Sequence, residues 1–322
     1  MQQLIIIKKY GGQNTLSITR GVHGEKLVAV LNNDKLPESD KDRMKKAIER
    51  YDLWIKQLAE VDEDQEVISK MIDLLNEYKL YLDLNVIFDS ENDFLYRQKG
   101  QLKLDNTVVE EFLPLLVNKC LGKREELRNI EISSQMQTYS SINFNSSINK
   151  VNPGGGITIK SKDQDFSMSR KLYLKSSYDP NFNADSSVEI STNLGYILAE
   201  IKTNLDKTMF QEASATARDV KMAVSGCQYF IMCDYLDMTP ISSSTTYIDE
   251  ILILRKAKRL NSNVRSKYST YKGRMASRDQ YETYLKGYPY SKEVFERFIN
   301  YIIAQLDDKD PIEESVLEIG YF

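Results

Sequence analysis

The sequence contains few of the residues on which nucleophilic and transition-metal sites are usually built. Among its 322 residues there is one histidine, His23, and there are three cysteines, Cys120, Cys227 and Cys233. A lone histidine is usually structural, and the cysteines lack the paired spacing of zinc ligands. We therefore interpret the cysteines as buried thiols and exclude Cys–His or Ser–His catalysis as a starting hypothesis.

Long hydrophobic runs are also missing, and the longest, such as residues 251–254, could not span a bilayer. The first twelve residues, MQQLIIIKKYGG, have too few apolar side chains for a secretory signal and are typical of a first strand. No Lys-Ser or Lys-Thr follows the glycines at 154–156, which argues against a phosphate-binding loop. These absences predict a cytoplasmic protein that does not contact a membrane.

The net charge of −4 does not suggest a nucleic-acid ligand, but the cations are unevenly distributed. Residues 255–274 carry eight basic side chains and no acidic one. A solvated loop is the plain interpretation of such a run, and a segment that contacts nucleic-acid phosphates is the functional one. The predicted phosphate-contacting residues are Arg255, Lys256, Lys258, Arg259, Arg265, Lys267, Lys272 and Arg274.

Apolar residues recur with helical spacing through residues 1–132, which we predict to be mainly helical. Ser39 is a candidate N-cap for one helix, and Thr107 with Glu110 matches a capping box for another. This region is a candidate for a recognition or dimerisation role. Residues 133–156 are rich in Ser and Asn and end in three glycines, so we predict a loop-rich connection there.

Residues 157–322 differ in texture, with short apolar runs separated by turn residues. Strand patterns occur at 157–160, 171–174, 188–190, 196–203, 228–235 and 247–254. A helical stripe covers residues 206–224, and Ser291 can cap a last helix. This order predicts an α/β (α+β) fold, in which a mixed sheet is flanked by helices and preceded by the helical N-terminal region.

Glu200 and Lys202 are candidate catalytic residues at the end of an otherwise apolar strand. Alternate side chains of a strand share a face, so these two point the same way. A turn predicted at residues 193–195 would fold the preceding segment back and place Asp185 beside Glu200. Two carboxylates and the main-chain carbonyl of Ile201 are suitable ligands for Mg²⁺, and a nearby lysine can orient an attacking water.

The order of Asp185, a gap of hairpin length and Glu200-Ile201-Lys202 resembles the PD-(D/E)xK nucleases. The stretches AEIKTNLDKTMFQEASATARDVK and YFIMCDYLDMTP are similar to a subgroup of type II restriction endonucleases that cut a seven-base asymmetric site with two related subunits. The main resemblance covers about residues 165–240, and residues 100–116 are a weaker point of similarity. The residue before Asp185 is Ala184 rather than the family's frequent proline.

The resemblance implies a restriction-endonuclease-like fold and a Mg²⁺-dependent enzyme that hydrolyses double-stranded DNA to products with a 5′-phosphate and a 3′-hydroxyl. In this scheme Asp185, Glu200 and the carbonyl of Ile201 hold Mg²⁺, and Lys202 assists the water. One such site cuts one strand, so the resemblance also implies a homodimer or a heterodimer with a related subunit. The expected location is the cytoplasm of a prokaryotic cell.

Several alternatives stay open on sequence alone. Glu189 rivals Asp185 as the upstream acid, and Asp185 is preferred because its place before the strand fits the family's pattern. Lys207 and Gln211 are candidates for the periphery of the site. The functional alternatives are a repair or recombination nuclease of the same fold that selects DNA structure, and a non-catalytic DNA-binding subunit. The structural alternative is a surface ion-pair cluster on a hairpin.

Overall fold

The computed structural model describes residues 20–308 and 313–320, so the strand predicted within the first twelve residues lies outside the described part of the chain. The helices before the sheet are α1 (Val22–Leu31), α2 (Glu38–Glu60), α3 (Val67–Tyr81), α4 (Asp93–Gln98) and α5 (Thr107–Leu121). Later helices are α6 (Lys207–Ala223), α7 (Ser262–Lys267), α8 (Tyr271–Ala276), α9 (Arg278–Gly287), α10 (Lys292–Asp307) and α11 (Glu313–Ile319). Of the helices described, none is both long and apolar enough to cross a membrane.

The N-terminal region is helical, as predicted, because its apolar stripes pack against one another. Trp54 of α2 stacks on Tyr78 of α3 with 4.5 Å between the ring centroids, and both side chains are 1% exposed. Helix α2 begins at Glu38 after Pro37, and no side chain caps it. The prediction of Ser39 as an N-cap was therefore wrong.

The predicted capping box at the start of α5 does not form. The hydroxyl of Thr107 donates to the carbonyl oxygen of Lys103 at 2.6 Å, and Glu110 accepts a hydrogen bond from the Gln135 side chain at 3.1 Å. Asn106 precedes the helix, and no side-chain cap is made there. Tertiary contacts have displaced the local capping interaction, and Glu110 is directed to the sheet instead.

The strands form one mixed sheet in the order β1-β2-β3-β4-β5, which confirms the predicted fold class. They are β1 (Glu131–Phe144), β2 (Ile157–Ser177), β3 (Ser187–Leu205), β4 (Gln228–Leu236) and β5 (Glu250–Lys258). Strands β1, β2 and β3 are antiparallel neighbours, whereas β3, β4 and β5 are parallel. Helix α6 makes the crossover from β3 to β4 that a parallel pair requires.

Residues 133–156 are not a loop-rich connection, because most of β1 falls within them. The segment pairs with β2 from Glu131 opposite Ser169 to Phe144 opposite Ile157. Its Ser- and Asn-rich composition is unusual for a strand. The neighbouring strand satisfies its backbone groups, so the composition does not prevent sheet formation.

Strand β2 is shared by two hairpins whose outer parts meet. The hydroxyl of Ser176 donates to the carbonyl oxygen of Gly154 at 2.9 Å, and the hydroxyl of Tyr178 donates to that of Ser146 at 3.2 Å. The two ends of the 21-residue strand therefore lie near each other, and β2 must bend strongly between them. We refer to residues 139–162 and 171–192 as the β-arm. Among the described residues, it contributes nothing to the main hydrophobic clusters.

The two faces of β3 pack against different helices. Ile197, Ala199 and Ile201 join the cluster that contains the N-terminal helices and α10. Leu198 joins the second cluster, which is covered by α6 and includes Tyr229 of β4. This alternation confirms the predicted orientation of β3 and places Glu200 and Lys202 on the face that α6 covers.

Candidate active site

Glu200 and Lys202 form an ion pair at the end of β3. The ammonium of Lys202 lies 2.7 Å from Oε1 of Glu200, and the two side chains are 29% and 21% exposed. Both residues project from the same face of the strand, as the two-residue period predicts. The sequence therefore correctly located this carboxylate–lysine pair, while its catalytic role stays a prediction.

The turn predicted at residues 193–195 does not exist, because β3 runs without interruption from Ser187 to Leu205. Gly195 instead marks a β-bulge: Ser169 pairs with Gly195 and Met168 with Ile197, which leaves one extra residue on β3. A glycine within a strand marks such a bulge as readily as it marks a turn. The signal read as a hairpin was therefore a local irregularity of a long strand.

Asp185 and Glu189, the two candidates for the upstream acid, lie in the β-arm and not beside Glu200. Asp185 is exposed in the turn before β3, and Glu189 pairs with Lys175 at 3.3 Å. At roughly 3.3 Å per residue, the strand from Ser187 to Glu200 covers about 40 Å. The predicted pairing of Asp185 with Glu200 is therefore wrong, since one cation cannot bridge that span.

The acidic residue that does lie beside Glu200 is Asp165 of β2. Hydrogen-bonded pairing between β2 and β3 stops at Phe166 opposite Ala199, so the next residues on the two strands are Asp165 and Glu200. The carboxylate of Asp165 accepts the N–H of Ile201 at 2.8 Å. The side chain thus replaces the backbone partner at the point where the two strands separate.

A second acidic side chain, Glu110 of α5, reaches the same region and is 1% exposed. It is held by the side chain of Gln135, which lies across from Asp165 in the register of β1 and β2. Gln135 has a φ of +54°, which is uncommon for a residue with a side chain. Such strained residues concentrate at functional sites, and here the strain interrupts the ladder next to Asp165.

The carboxylates lie close enough to alter one another's protonation. Burial raises the pKa of Asp165, and the charge of Glu200 adds to this effect. Burial also raises the pKa of Glu110, and Asp165 raises it further. Burial alone would lower the pKa of Lys202, but Glu200 and Asp165 outweigh it, so the pKa of Lys202 is raised and its ammonium stays charged. The site has more buried acid than its one lysine neutralises.

The hydroxyl of Tyr229 donates to Oε2 of Glu200 at 2.9 Å. Burial raises the pKa of Tyr229, and the carboxylate of Glu200 raises it further, so the phenol remains protonated and is a hydrogen-bond donor. Both oxygens of Glu200 therefore have partners, one from Lys202 and one from Tyr229.

The donor set fits a hard divalent cation, although no three His, Cys, Asp or Glu side chains within the described ranges converge as a ready-made metal centre. Asp165 and Glu200 provide carboxylate oxygens on adjacent strands. The N–H and C=O of one strand residue point toward the same neighbour, so Ile201 presents its carbonyl on the side of Asp165. Mg²⁺ needs only a few such oxygen ligands because it retains several waters. The surplus of buried negative charge is the feature that a cation would offset.

The residues predicted for the periphery lie on the exposed side of α6. Lys207 is the first residue of the helix and Gln211 lies one turn later, and both are exposed. The α6 residue whose charge affects the pKa of Lys202 is Glu212. Any role of Lys207 and Gln211 stays a prediction.

The basic segment divides into buried and exposed cations. Arg255 is 4% exposed and lies 3.4 Å from Asp83 and 3.8 Å from Asp234. Arg274 is fully buried and donates to the carbonyl oxygens of Phe88, Ser90, Tyr268 and Asn92. These two arginines stabilise the fold, so the prediction that they contact phosphates was wrong. Both were misassigned because sequence shows charge but not burial.

The other six cations of the segment are partly or fully accessible. Lys256 pairs with Glu293, and Arg259 lies 2.7 Å from Asp237. Arg265 is half-buried and donates to the carbonyl oxygen of Leu260 at 2.9 Å. The side chains that are exposed and, within the described residues, form no ion pair are Lys258, Lys267 and Lys272. The exposed lysines are the part of the segment that could still contact DNA.

Asp165 and Glu110 were missed by sequence reasoning, although a weak signal existed for each. Asp165 precedes Phe166 and Met168, an apolar alternation that indicates a strand, but the polar residues before it suggested a turn. Glu110 fits a capping box equally well, and only the tertiary fold distinguishes the two roles. Tyr229 lies in an apolar strand where an aromatic residue gives no functional signal.

Comparisons with known proteins agree with this geometry. Residues 101–322, which include Glu110, Asp165 and Glu200, match the family of the Bpu10I restriction endonuclease. Among solved structures, the native BbvCI A2B2 tetramer at low resolution has a TM-score of 0.50 and 15% sequence identity, and the match covers 82% of this chain and 96% of that chain. At this identity the structural match supports the fold alone.

No curated protein matches the chain. The restriction endonuclease resemblance inferred from the sequence is confirmed, since the family match extends over more than two thirds of the chain. The chain therefore belongs to the Bpu10I restriction endonuclease family.

Proposed function

We propose that this chain is a Mg²⁺-dependent subunit of a type II restriction endonuclease, in which Asp165, Glu200 and Lys202 carry the hydrolysis of a DNA phosphodiester bond. The observation that supports this assignment is the ion pair of Lys202 with Glu200 at 2.7 Å, next to Asp165 where β2 and β3 separate. Asp165 takes the place that the sequence interpretation had given to Asp185.

Asp165 and Glu200 hold the cation, and the carbonyl oxygen of Ile201 completes the protein ligands. Bound Mg²⁺ supplies a lowered pKa for a coordinated water and offsets charge on the scissile phosphate. Glu110 adds a third carboxylate close to the pair, and Gln135 fixes its orientation. The excess of buried acid over Lys202 makes the site selective for a cation.

Lys202 acts on the attacking water and on the phosphate. Its raised pKa keeps the ammonium charged at neutral pH, and its side chain is partly exposed. An ammonium at this position orients the water by a hydrogen bond and stabilises the negative charge that develops in the transition state. Glu200 accepts from Lys202 in the resting arrangement and so keeps the ammonium beside the water site.

Double-strand cleavage requires a second site, because the two strands of DNA are antiparallel and one active site cuts one of them. The solved structure that resembles this chain is described as an A2B2 tetramer, which supports assembly with a related subunit. We propose that the partner provides the second site. The exposed lysines of the basic segment, Lys258, Lys267 and Lys272, contribute to the phosphate contacts of this chain.

The test is cleavage of phage DNA and of a supercoiled plasmid by the enzyme assembled with its partner subunit, with and without Mg²⁺. We expect discrete fragments only when Mg²⁺ is present. With Glu200→Ala in this chain, a plasmid that is linearised by the parent enzyme should only be nicked, because the partner still cuts its strand. Unchanged linearisation by the variant would show that this chain does not cut.

The same assay separates the alternative functions. A nuclease that selects DNA structure would cut branched duplexes and give no discrete fragments from linear phage DNA. Binding of Glu200→Ala to the recognition duplex should match the parent enzyme, which shows that the loss is in cleavage and not in recognition.

A further inference from the structure

We propose that Tyr229 is a positioning residue for hydrolysis: its hydroxyl binds Oε2 of Glu200 and thereby leaves Oε1 as the oxygen that faces the cation. This inference rests on the proposed function, since it assigns a role relative to the proposed ligands Asp165 and Glu200. Tyr229 itself does not contact the reacting atoms.

The contact between Tyr229 and Glu200 follows from the register of the parallel strands. Leu198 of β3 lies opposite Tyr229 of β4, and Glu200 lies opposite Ile231. Tyr229 and Glu200 are thus diagonal neighbours on one face of the sheet, within reach of a long side chain. A carboxylate only accepts, so the phenol is the donor in the 2.9 Å hydrogen bond.

Tyr229 is held rigidly at both ends. Its side chain is 1% exposed and packs in the cluster beneath α6. Its backbone N–H donates to Asp249 at 2.6 Å, and Asp249 is itself fixed by the ammonium of Lys221 at 2.7 Å. A buried ring with an anchored backbone has little freedom to move its hydroxyl.

The partner of the other oxygen is much less constrained. Lys202 reaches Oε1 from a flexible four-carbon stem and is 29% exposed. When a cation approaches Glu200, the contact with Lys202 can be exchanged, whereas the contact with Tyr229 cannot be broken without leaving a buried hydroxyl unpaired. Tyr229 therefore determines which carboxylate oxygen is presented.

A matched pair of variants separates positioning from packing. Tyr229→Phe removes only the hydroxyl that contacts Glu200. Tyr290→Phe removes an equivalent hydroxyl that donates to Asp234 at 3.0 Å, 2% exposed and outside the site. Each variant loses one buried tyrosine–carboxylate hydrogen bond, so a general loss of packing or stability should affect both.

The measurement is Mn²⁺ binding to the assembled enzyme on its recognition duplex, followed by electron paramagnetic resonance, together with the Mn²⁺ dependence of nicking. Loss of an interaction that orients a ligand typically costs 10–100-fold in metal affinity. We expect such a loss at one class of sites in Tyr229→Phe, with cleavage recovered at high Mn²⁺ and with unchanged duplex binding. Tyr290→Phe should retain the affinity of the parent enzyme.

Three results decide the matter. Equal Mn²⁺ affinity in Tyr229→Phe and the parent enzyme would overturn the role of Tyr229. An equal loss in both variants would also overturn it, since the effect would then be one of packing. If Mn²⁺ binding to the parent enzyme were the same as to Glu200→Ala, the proposed function itself would fail, which is a distinguishable outcome.

Discussion

Asp165 and Glu200 are the first residues beyond the end of the β2–β3 ladder, whose last pair is Phe166 and Ala199. The N–H of Ile201, which continues the strand, is taken by the side chain of Asp165 at 2.8 Å. The fold thus brings two acidic side chains together where two strands separate, at a place where the backbone leaves room for a ligand. The predictions below follow from this arrangement.

Replacement of Lys202 by alanine should abolish most cleavage without weakening DNA binding. The ammonium is proposed to act on the water and the developing phosphate charge, and loss of one such donor typically costs about 10²–10³-fold in rate. Lys175→Ala is the matched control, because Lys175 also pairs with a glutamate, Glu189, but lies in the β-arm. Single-turnover nicking rates of the two variants decide between a local and a general effect. Similar rates for both would contradict the role of Lys202.

Arg255 should be needed for stability, whereas the exposed lysines should be needed for DNA affinity. Arg255→Ala leaves Asp83 and Asp234 buried without their guanidinium, and breaking a buried ionic group of this kind costs about 3–5 kcal/mol. Denaturant unfolding measures this loss. Lys267→Ala with Lys272→Ala should leave the unfolding free energy unchanged and reduce the salt dependence of DNA binding by about one unit of slope per phosphate contact. A loss of stability in the lysine variant would contradict this division.

His23 predicts a loss of stability in acid. Burial, with a smaller contribution from Lys79, lowers its pKa to about 3. Its ring nitrogens lie 2.9 Å from the Thr107 hydroxyl and 2.8 Å from that of Tyr78. Because the folded pKa is below the unfolded value of about 6.5, this stability is fully present above pH 6.5 and is lost as the pH falls toward 3.

The slope of that loss is about 1.4 kcal/mol per pH unit for one group. His23→Gln should be less stable than the parent chain at pH 7, because the two ring contacts are lost. Between pH 6 and 4 its unfolding free energy should fall less steeply than that of the parent chain. Parallel curves for the two proteins over this range would show that His23 takes up its proton in the folded state.

The elements that the sequence predicted well are those whose side chains repeat with a simple period. The apolar stripes of α2 and α3 predicted helices, and the alternation around Glu200 predicted the shared face with Lys202. Both patterns arise from burial on one face, which is a local property of the chain.

The upstream acid could not be predicted in the same way, because it depends on which strands pair and where the pairing ends. Gly195 fits a turn and a bulge equally well, and the choice of a turn moved the acidic partner from Asp165 to Asp185. The burial of Arg255 and Arg274 likewise depends on helices far away in sequence. Such information lies in tertiary contacts and not in any short segment.

The comparison of Asp165→Asn with Asp185→Asn tests the central assignment most directly. Both variants remove one negative charge and keep the shape of the side chain, in the same enzyme and assay. If Asp165 is the upstream acid, Asp165→Asn should lower the Mg²⁺-dependent nicking rate of this chain's strand on the order of 10³-fold. Asp185→Asn should cleave at the rate of the parent enzyme. Full activity of Asp165→Asn, or loss of activity in Asp185→Asn alone, would contradict the site described here.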